Sequence, residues 1–287
     1  MYVEHLRVPI GGGTLHVERM GRGDRPVVLL HGFGTNATLW RGVSARLANA
    51  GFVALAIDLL GHGESDRPLD ATYDLATQAD VLDRAMAALR VPQASVVGQD
   101  VGGLVGLALA SRHPERVLRL AIINPPDITD LPSAPVRAMQ RAAARLAIGA
   151  SSARLGAAAL LGAVLSDAVA DPAGLPASAM ARYLAPWAGS GGVEQLQLLA
   201  RTLEGDGVEL DALDHVRTPT LVLRTDGDRT VPAAVATALS AALRGAELQT
   251  LVGVGRLVAE DAPDTLARTL LEWMTASTNR AASAFIE

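Results

Sequence analysis

A carboxylate at the tip of a strand-turn-helix is the feature of this chain with the most chemical content. Ala94-Ser95-Val96-Val97 is a β-rich run, Gly98-Gln99-Asp100-Val101-Gly102-Gly103 follows it, and a glycine-rich apolar stretch comes next. Glycines around Asp100 let the backbone turn sharply against its neighbours, and such a turn lifts the side chain clear of the sheet edge. A carboxylate held there can attack carbon. It suits a strained or activated sp³ carbon better than an acyl carbonyl, because an alkyl ester is a tractable adduct and an anhydride is a labile one. Epoxides and alkyl halides fit this chemistry, and amides do not. Aspartate is also a favoured helix N-cap, but capping alone leaves the flanking glycines unexplained.

Other residues could work with it. Asp228 follows the run Leu221-Val222-Leu223 in a turn closed by Pro232, which suits a turn-forming or N-capping aspartate. Asp127 is a second candidate acid, although Pro125-Pro126 beside it favour a plain loop turn. Arg256 lies in the glycine-rich loop Val252-Gly253-Val254-Gly255-Arg256-Leu257. Arginine stays protonated and cannot take a proton from water, but it can hold carboxylates through paired hydrogen bonds. Asp100 and Asp228 are both within its expected reach. Arg256 therefore reads either as a substrate-facing cation or as the centre of a buried ion-pair cluster that only holds loops. His31 and His62 are candidates for a base or a substrate contact, and equally for loop-holding residues. His5, His16, His113 and His215 read as surface or helix-end residues.

These side chains need a framework to bring them together. Val3 to Pro9 and Thr14 to Met20 read as a hairpin across Gly11-Gly12-Gly13, and Val27 to Leu30 and Phe52 to Ile57 as buried strands with a helix, Asn36 to Ala50, between them. Leu75, Ala79, Leu82, Met86 and Leu89 form one helical stripe within Tyr73 to Arg90. A buried helix over Leu104 to Ala110 and a strand over Leu118 to Ile123 come next. From Pro125 to about Asp206 the strand signal gives way to helical patterns broken by Gly149, Pro172, Pro176, Pro186 and Gly189, with a stripe at Leu196, Leu199, Ala200 and Leu203. Alternation resumes with strand Thr220 to Leu223, helix Pro232 to Leu243, strand Glu247 to Val252 and helix Pro263 to Met274; residues from about Ser277 are expected to fray. This order predicts an α/β fold with a mostly parallel sheet: a core of 1–124 and 207–287, and an inserted helical cap over 125–206.

His31-Gly32-Phe33-Gly34, then Asp58-Leu59-Leu60-Gly61-His62-Gly63-Glu64-Ser65, the turn at Asp100, and Asp228-Arg229-Thr230-Val231-Pro232 occur in an order that resembles the α/β-hydrolase family over nearly the whole chain. Aspartate at the elbow is similar to the epoxide-hydrolase and haloalkane-dehalogenase branch. The resemblance implies Asp100 as nucleophile, the backbone N–H groups of Phe33 and Val101 as oxyanion hole, Asp228 as the orienting acid, and a histidine where this chain has Arg256. Val101 stands where dehalogenases and many epoxide hydrolases carry tryptophan, and Gly34 where epoxide hydrolases usually have proline. Tyr183 and Trp187 stand in place of an obvious pair of ring-opening tyrosines. Either can contact substrate, and either can be cap packing.

Composition narrows the rest. All 25 basic residues are arginine and there is no cysteine, which removes Schiff-base lysines, thiolates, disulfides and cysteine metal sites. A net charge of -5 gives no basic field for nucleic acid or anionic membrane, so a small apolar or amphipathic molecule is the expected partner. No window approaches the roughly 18 uninterrupted apolar residues of a membrane span, and a cytoplasmic protein without metal or organic cofactor is expected. The reading is an epoxide-hydrolase-like enzyme with a non-standard triad. Two alternatives remain: a lyase, cyclase or isomerase using Asp100 and Arg256, and an inactive ligand-binding relative. The sequence leaves the oligomeric state open.

Overall fold

The computed structural model of the protein describes residues 2–147 and 157–276. Eight strands form one sheet: β1 (Glu4–Pro9), β2 (Thr14–Met20), β3 (Pro26–Leu30), β4 (Val53–Ile57), β5 (Ala94–Gln99), β6 (Val117–Ile123), β7 (Thr220–Thr225) and β8 (Glu247–Leu251). Their spatial order is β1-β2-β4-β3-β5-β6-β7-β8. β1 and β2 pair antiparallel, as does β2 with β4, and every other pair is parallel. This is the mostly parallel α/β sheet that the order of elements predicts.

Strand alternation divides the core between two faces. Val28, Leu30, Val96, Leu120 and Ile122 face α2 (Leu75–Ala88), α3 (Val101–Arg112) and α8 (Ala233–Ala242). Val27, Leu29, Val97, Ala121 and Ile123 face α1 (Arg41–Asn49) and α10 (Pro263–Thr275). Parallel strands covered on both faces require continuous apolar runs, and β3 through β6 carry them. The predicted helix over Asn36 to Ala50 is two elements. Asn36 caps a 3₁₀ turn at Ala37–Trp40 by accepting from the Thr38 N–H, and α1 starts at Arg41.

Among the described residues, those between β6 and β7 form helices α4 (Ala134–Ala147), α5 (Ala158–Asp167), α6 (Ala177–Leu184) and α7 (Gly189–Thr202) and no strand. This helical excursion rests on the loops that follow β3, β4 and β8. Asn36 Nδ2 donates to the Arg182 carbonyl, Arg67 Nη1 to the Pro186 carbonyl at 2.6 Å, and Leu257 N to the Ala168 carbonyl at 3.0 Å. It therefore covers the carboxyl ends of strands, where open α/β sheets place ligands. The expected break at Gly149 and the fraying from Ser277 lie outside the described residues. No described helix is long and apolar enough to cross a membrane. A remaining helix, α9 (Val258–Asp261), is a single turn before Pro263 opens α10.

His16 is not a surface residue but is 3% exposed on β2, with its Nδ1 2.8 Å from Asp58 Oδ2. Neighbouring β4 delivers Asp58 to that spot, and the pattern of β2 alone does not reveal it.

The glycines of the β5–α3 turn are required by contact. A Cβ on Gly102 would lie 2.3 Å from the His31 carbonyl oxygen and 2.5 Å from that of Leu30, both backbone atoms that cannot swing away. Gly102→Ala is expected to lower the unfolding free energy by about 1–3 kcal/mol or more. The readout is a fall in the urea midpoint, and Gly12→Ala, where a Cβ meets nothing within 4 Å, should leave the midpoint unchanged.

Candidate active site

Asp100 adopts φ 57°, ψ -130° at the junction of β5 and α3. A side chain in that region strains the backbone by about 1–3 kcal/mol, so the surroundings must hold it there. The Asp100 N–H donates to the Ile123 carbonyl at 2.8 Å, and its carbonyl accepts from the Gly103 N–H at 3.0 Å. Its side chain makes no capping bond to α3, which sets aside the N-cap explanation. Instead Oδ2 accepts from the Phe33 N–H at 2.9 Å and Oδ1 from Arg256 Nη2 at 2.6 Å. Gly32 permits this approach, since a Cβ there would sit 2.7 Å from that of Asp100. Val101 is the first residue of α3 and is buried.

Arg256 joins two carboxylates. Its Nη1 donates to Asp228 Oδ2 at 2.8 Å and to Thr230 Oγ1 at 2.6 Å, while Nη2 holds Asp100. The side chains of Arg256, Asp100 and Asp228 are only 14%, 11% and 4% exposed, so this is a desolvated cluster and not a screened surface pair. Burial opposes the guanidinium charge, but the Asp100 and Asp228 carboxylates outweigh it and hold the Arg256 pKa above the usual arginine value. Asp228 also fulfils the turn role: Oδ1 accepts from the Thr230 N–H and hydroxyl and from the Val231 N–H.

Residues that the sequence did not single out place the arginine. Asn124, at the end of β6 with φ 45°, donates from Nδ2 to the Arg256 carbonyl and to Thr225 Oγ1, and accepts the Thr225 N–H. Asp261 accepts from the Gly255 and Ala170 N–H groups, which ties the arginine loop to the helical excursion. Glu260 receives both Arg41 and the Tyr183 hydroxyl. None of these bonds has a sequence signature, because each joins residues distant in the chain.

The remaining candidates fall in different places. His31 is fully buried, with Nδ1 directed to the Gly32 carbonyl at 2.8 Å and Nε2 accepting from the Leu59 N–H at 3.0 Å. Both nitrogens are used, and burial holds its pKa below the ordinary value; it is a loop-holding residue. His62 stands edge-on to His31, Phe33 and Trp187, and its Nε2 is buried with no protein partner. Burial, reinforced by the nearby His31, pushes its pKa down to about 3. Trp187 is fully buried beside it. Tyr183 is also fully buried and spends its hydroxyl on Glu260; the structure does not bring it to Asp100. Asp127 caps its own turn through Thr129 and is not part of the cluster.

Fold and site together define a class. The α/β hydrolase fold family model matches residues 25–263, and the chain belongs to that family. It is 40% identical over 118 residues to a haloalkane dehalogenase of Agrobacterium fabrum, covering 41% of this chain and 38% of that protein. It is 36% identical over 126 residues to bifunctional epoxide hydrolase 2 of Rattus norvegicus, covering 43% of this chain and 23% of the relative. These matches thus span well under half of the relatives' length. The crystal structure of Cfl2 from Burkholderia cenocepacia superposes with a TM-score of 0.78 at 26% identity, over 94% of this chain and 95% of that one.

Two outcomes follow from the burial of these groups. Arg256→Met leaves two carboxylates facing each other without their cation and should cost about 3–5 kcal/mol in chemical denaturation. The native state also refuses a proton at His62 that the unfolded chain accepts, between the ordinary 6.5 and about 3. His62 therefore adds stability that is fully present above pH 6.5 and is lost as pH falls toward 3. Denaturation titrations should show His62→Gln flattening that dependence by up to about 1.4 kcal/mol per pH unit.

Proposed function

We propose that the protein is an epoxide-hydrolase-like enzyme that acts on small apolar or amphipathic molecules through Asp100, with Arg256 at the position this branch gives to histidine. The observation that carries the reading is the Asp100–Arg256–Asp228 bridge: one side chain links the elbow carboxylate to the acid after β7. In this reading the helical excursion is a cap, and its Trp187 meets His62 edge-on, which in turn meets Phe33, the residue whose N–H holds Asp100.

In the first step an Asp100 oxygen forms a bond to a substrate carbon. The carbon–oxygen bond of an epoxide, or the carbon–halogen bond of a haloalkane, breaks as the ester forms. The displaced electron pair leaves as halide, or as alkoxide that takes a proton from solvent. Phe33 N–H, which holds Asp100 Oδ2 in the resting protein, and Val101 N–H stabilise the oxyanion when water attacks the ester. That second step needs a proton acceptor. Arg256 cannot serve, His31 Nε2 is occupied, and His62 is too weak a base. Ester formation is therefore the competent half-reaction and hydrolysis the slow one. A ligand-binding role without turnover is the second reading; it is favoured by the saturation of both Asp100 oxygens by Phe33 and Arg256.

Incubation with small epoxides and haloalkanes, followed by intact-protein and peptide mass spectrometry, tests the proposal. The expected result is a persistent adduct on Asp100 that Asp100→Asn lacks. Absence of any adduct across both electrophile classes favours the ligand-binding reading, and an adduct on another residue removes Asp100 from the role.

A further inference from the structure

A second cluster of donor atoms lies at the sheet edge, on residues other than those of the Asp100 site. β1 and β2 pair with His5 opposite Glu18 and Arg7 opposite His16. Residues two apart on a strand share a face, so His5, His16 and Glu18 project to the same side of the ribbon. One donor atom from each lies within 4.8 Å of the other two. Arg7, on the same face, is drawn away to Asp66 at 2.7 Å.

His16 is preorganised as a ligand. Its Nδ1 lies 2.8 Å from Asp58 Oδ2, and the same Asp58 oxygen accepts the Glu64 N–H at 2.8 Å. An ionised carboxylate only accepts, so His16 Nδ1 carries a proton, and in the neutral ring Nε2 keeps the lone pair that accepts the hydrogen bond from His5 Nδ1. Such a carboxylate behind a histidine fixes the ring and raises its donor strength in metal sites. Asp58 is itself 2% exposed and anchored by the Ala37 N–H, so the orientation is rigid. Opposite Nε2, His5 Nδ1 stands at 2.9 Å with the two rings within 14° of parallel. Two imidazoles around a tetrahedral zinc ion sit with their nitrogens about 3.4 Å apart, from zinc–nitrogen distances of about 2.0–2.1 Å. His5 is exposed on the edge strand and can turn by that amount.

We propose that His5, His16 and Glu18 bind a divalent transition-metal ion, with Zn²⁺ the best-matched species. Two imidazoles and one carboxylate suit zinc and its neighbours, whereas Mg²⁺ and Ca²⁺ prefer all-oxygen sites. Three protein ligands leave a coordination position for water. The ion would pin the antiparallel edge to Asp58, whose other bonds hold the Ala37 and Glu64 turns. The inference does not depend on any role of Asp100.

The test uses the full-length chain without an affinity tag, stripped with a chelator and titrated calorimetrically with ZnCl₂. One zinc ion per chain is expected. His5→Ala and Glu18→Gln should each weaken binding by about tenfold or more with unchanged circular dichroism, and MgCl₂ should give no matching isotherm. Cobalt substitution should give the intense visible bands of a low-coordinate site, weakened in the same variants. No stoichiometric zinc binding in the wild-type chain, or binding that survives both substitutions unchanged, overturns the proposal.

Discussion

A buried guanidinium held between two carboxylates is the constraint around which the carboxyl end of the sheet is organised. Three ionised groups out of water are tolerable only if each keeps its partner at hydrogen-bonding distance, and here the partners come from three separate segments. Asp100 comes from the turn after β5, Asp228 from the turn after β7 and Arg256 from the loop after β8. Because β5, β6, β7 and β8 are adjacent and parallel, their carboxyl ends open onto one edge. The ion bridge spans that edge and closes it. The strained backbone of Asp100 is held in the same way, by the sheet below and by Phe33 N–H and Arg256 on its two oxygens.

The surrounding bonds limit the freedom of the arginine. Asn124 fixes its carbonyl, Asp261 the amide before it, and the Ala168 carbonyl the amide after it. Glu260 joins the same segment to α1 and α6 through Arg41 and Tyr183. The helical excursion and the Arg256 loop therefore form one packed unit. Arginine is longer than histidine and permanently charged, so at this position it supplies ion pairing and orientation but no basicity. In the proposed function the consequence is chemical: Asp100 is placed for attack on carbon, and no base stands beside Asp228 to regenerate it.

Much of this was legible in the chain because it is local. The glycines around Asp100 announce a sharp turn, short apolar runs announce the buried strands, and Arg256 lies in a glycine loop whose place along the chain can be read directly. The rest depends on which strands become neighbours. Asn124 and Glu260 matter only after β6, β7 and the excursion are assembled, and neither has a pattern of its own. His16 reads as a surface residue along β2, yet β4 beside it supplies Asp58 and the loop that buries it. Tyr183 was a reasonable substrate contact by residue type, and its hydroxyl is spent on Glu260 instead. In each case tertiary pairing overrode what the residue's own surroundings in sequence suggest.

In the proposed function, the lack of a base at position 256 is what separates this site from full hydrolysis. The most direct measurement is the decay of a preformed Asp100 ester in wild-type protein and in Arg256→His, followed by mass spectrometry in single-turnover conditions. A histidine beside Asp228 should accelerate decay by about 10²-fold or more, the contribution expected of a positioned general base. Equal decay rates in the two proteins would contradict this role of position 256, because they would place the barrier somewhere other than the residue that bridges the two carboxylates.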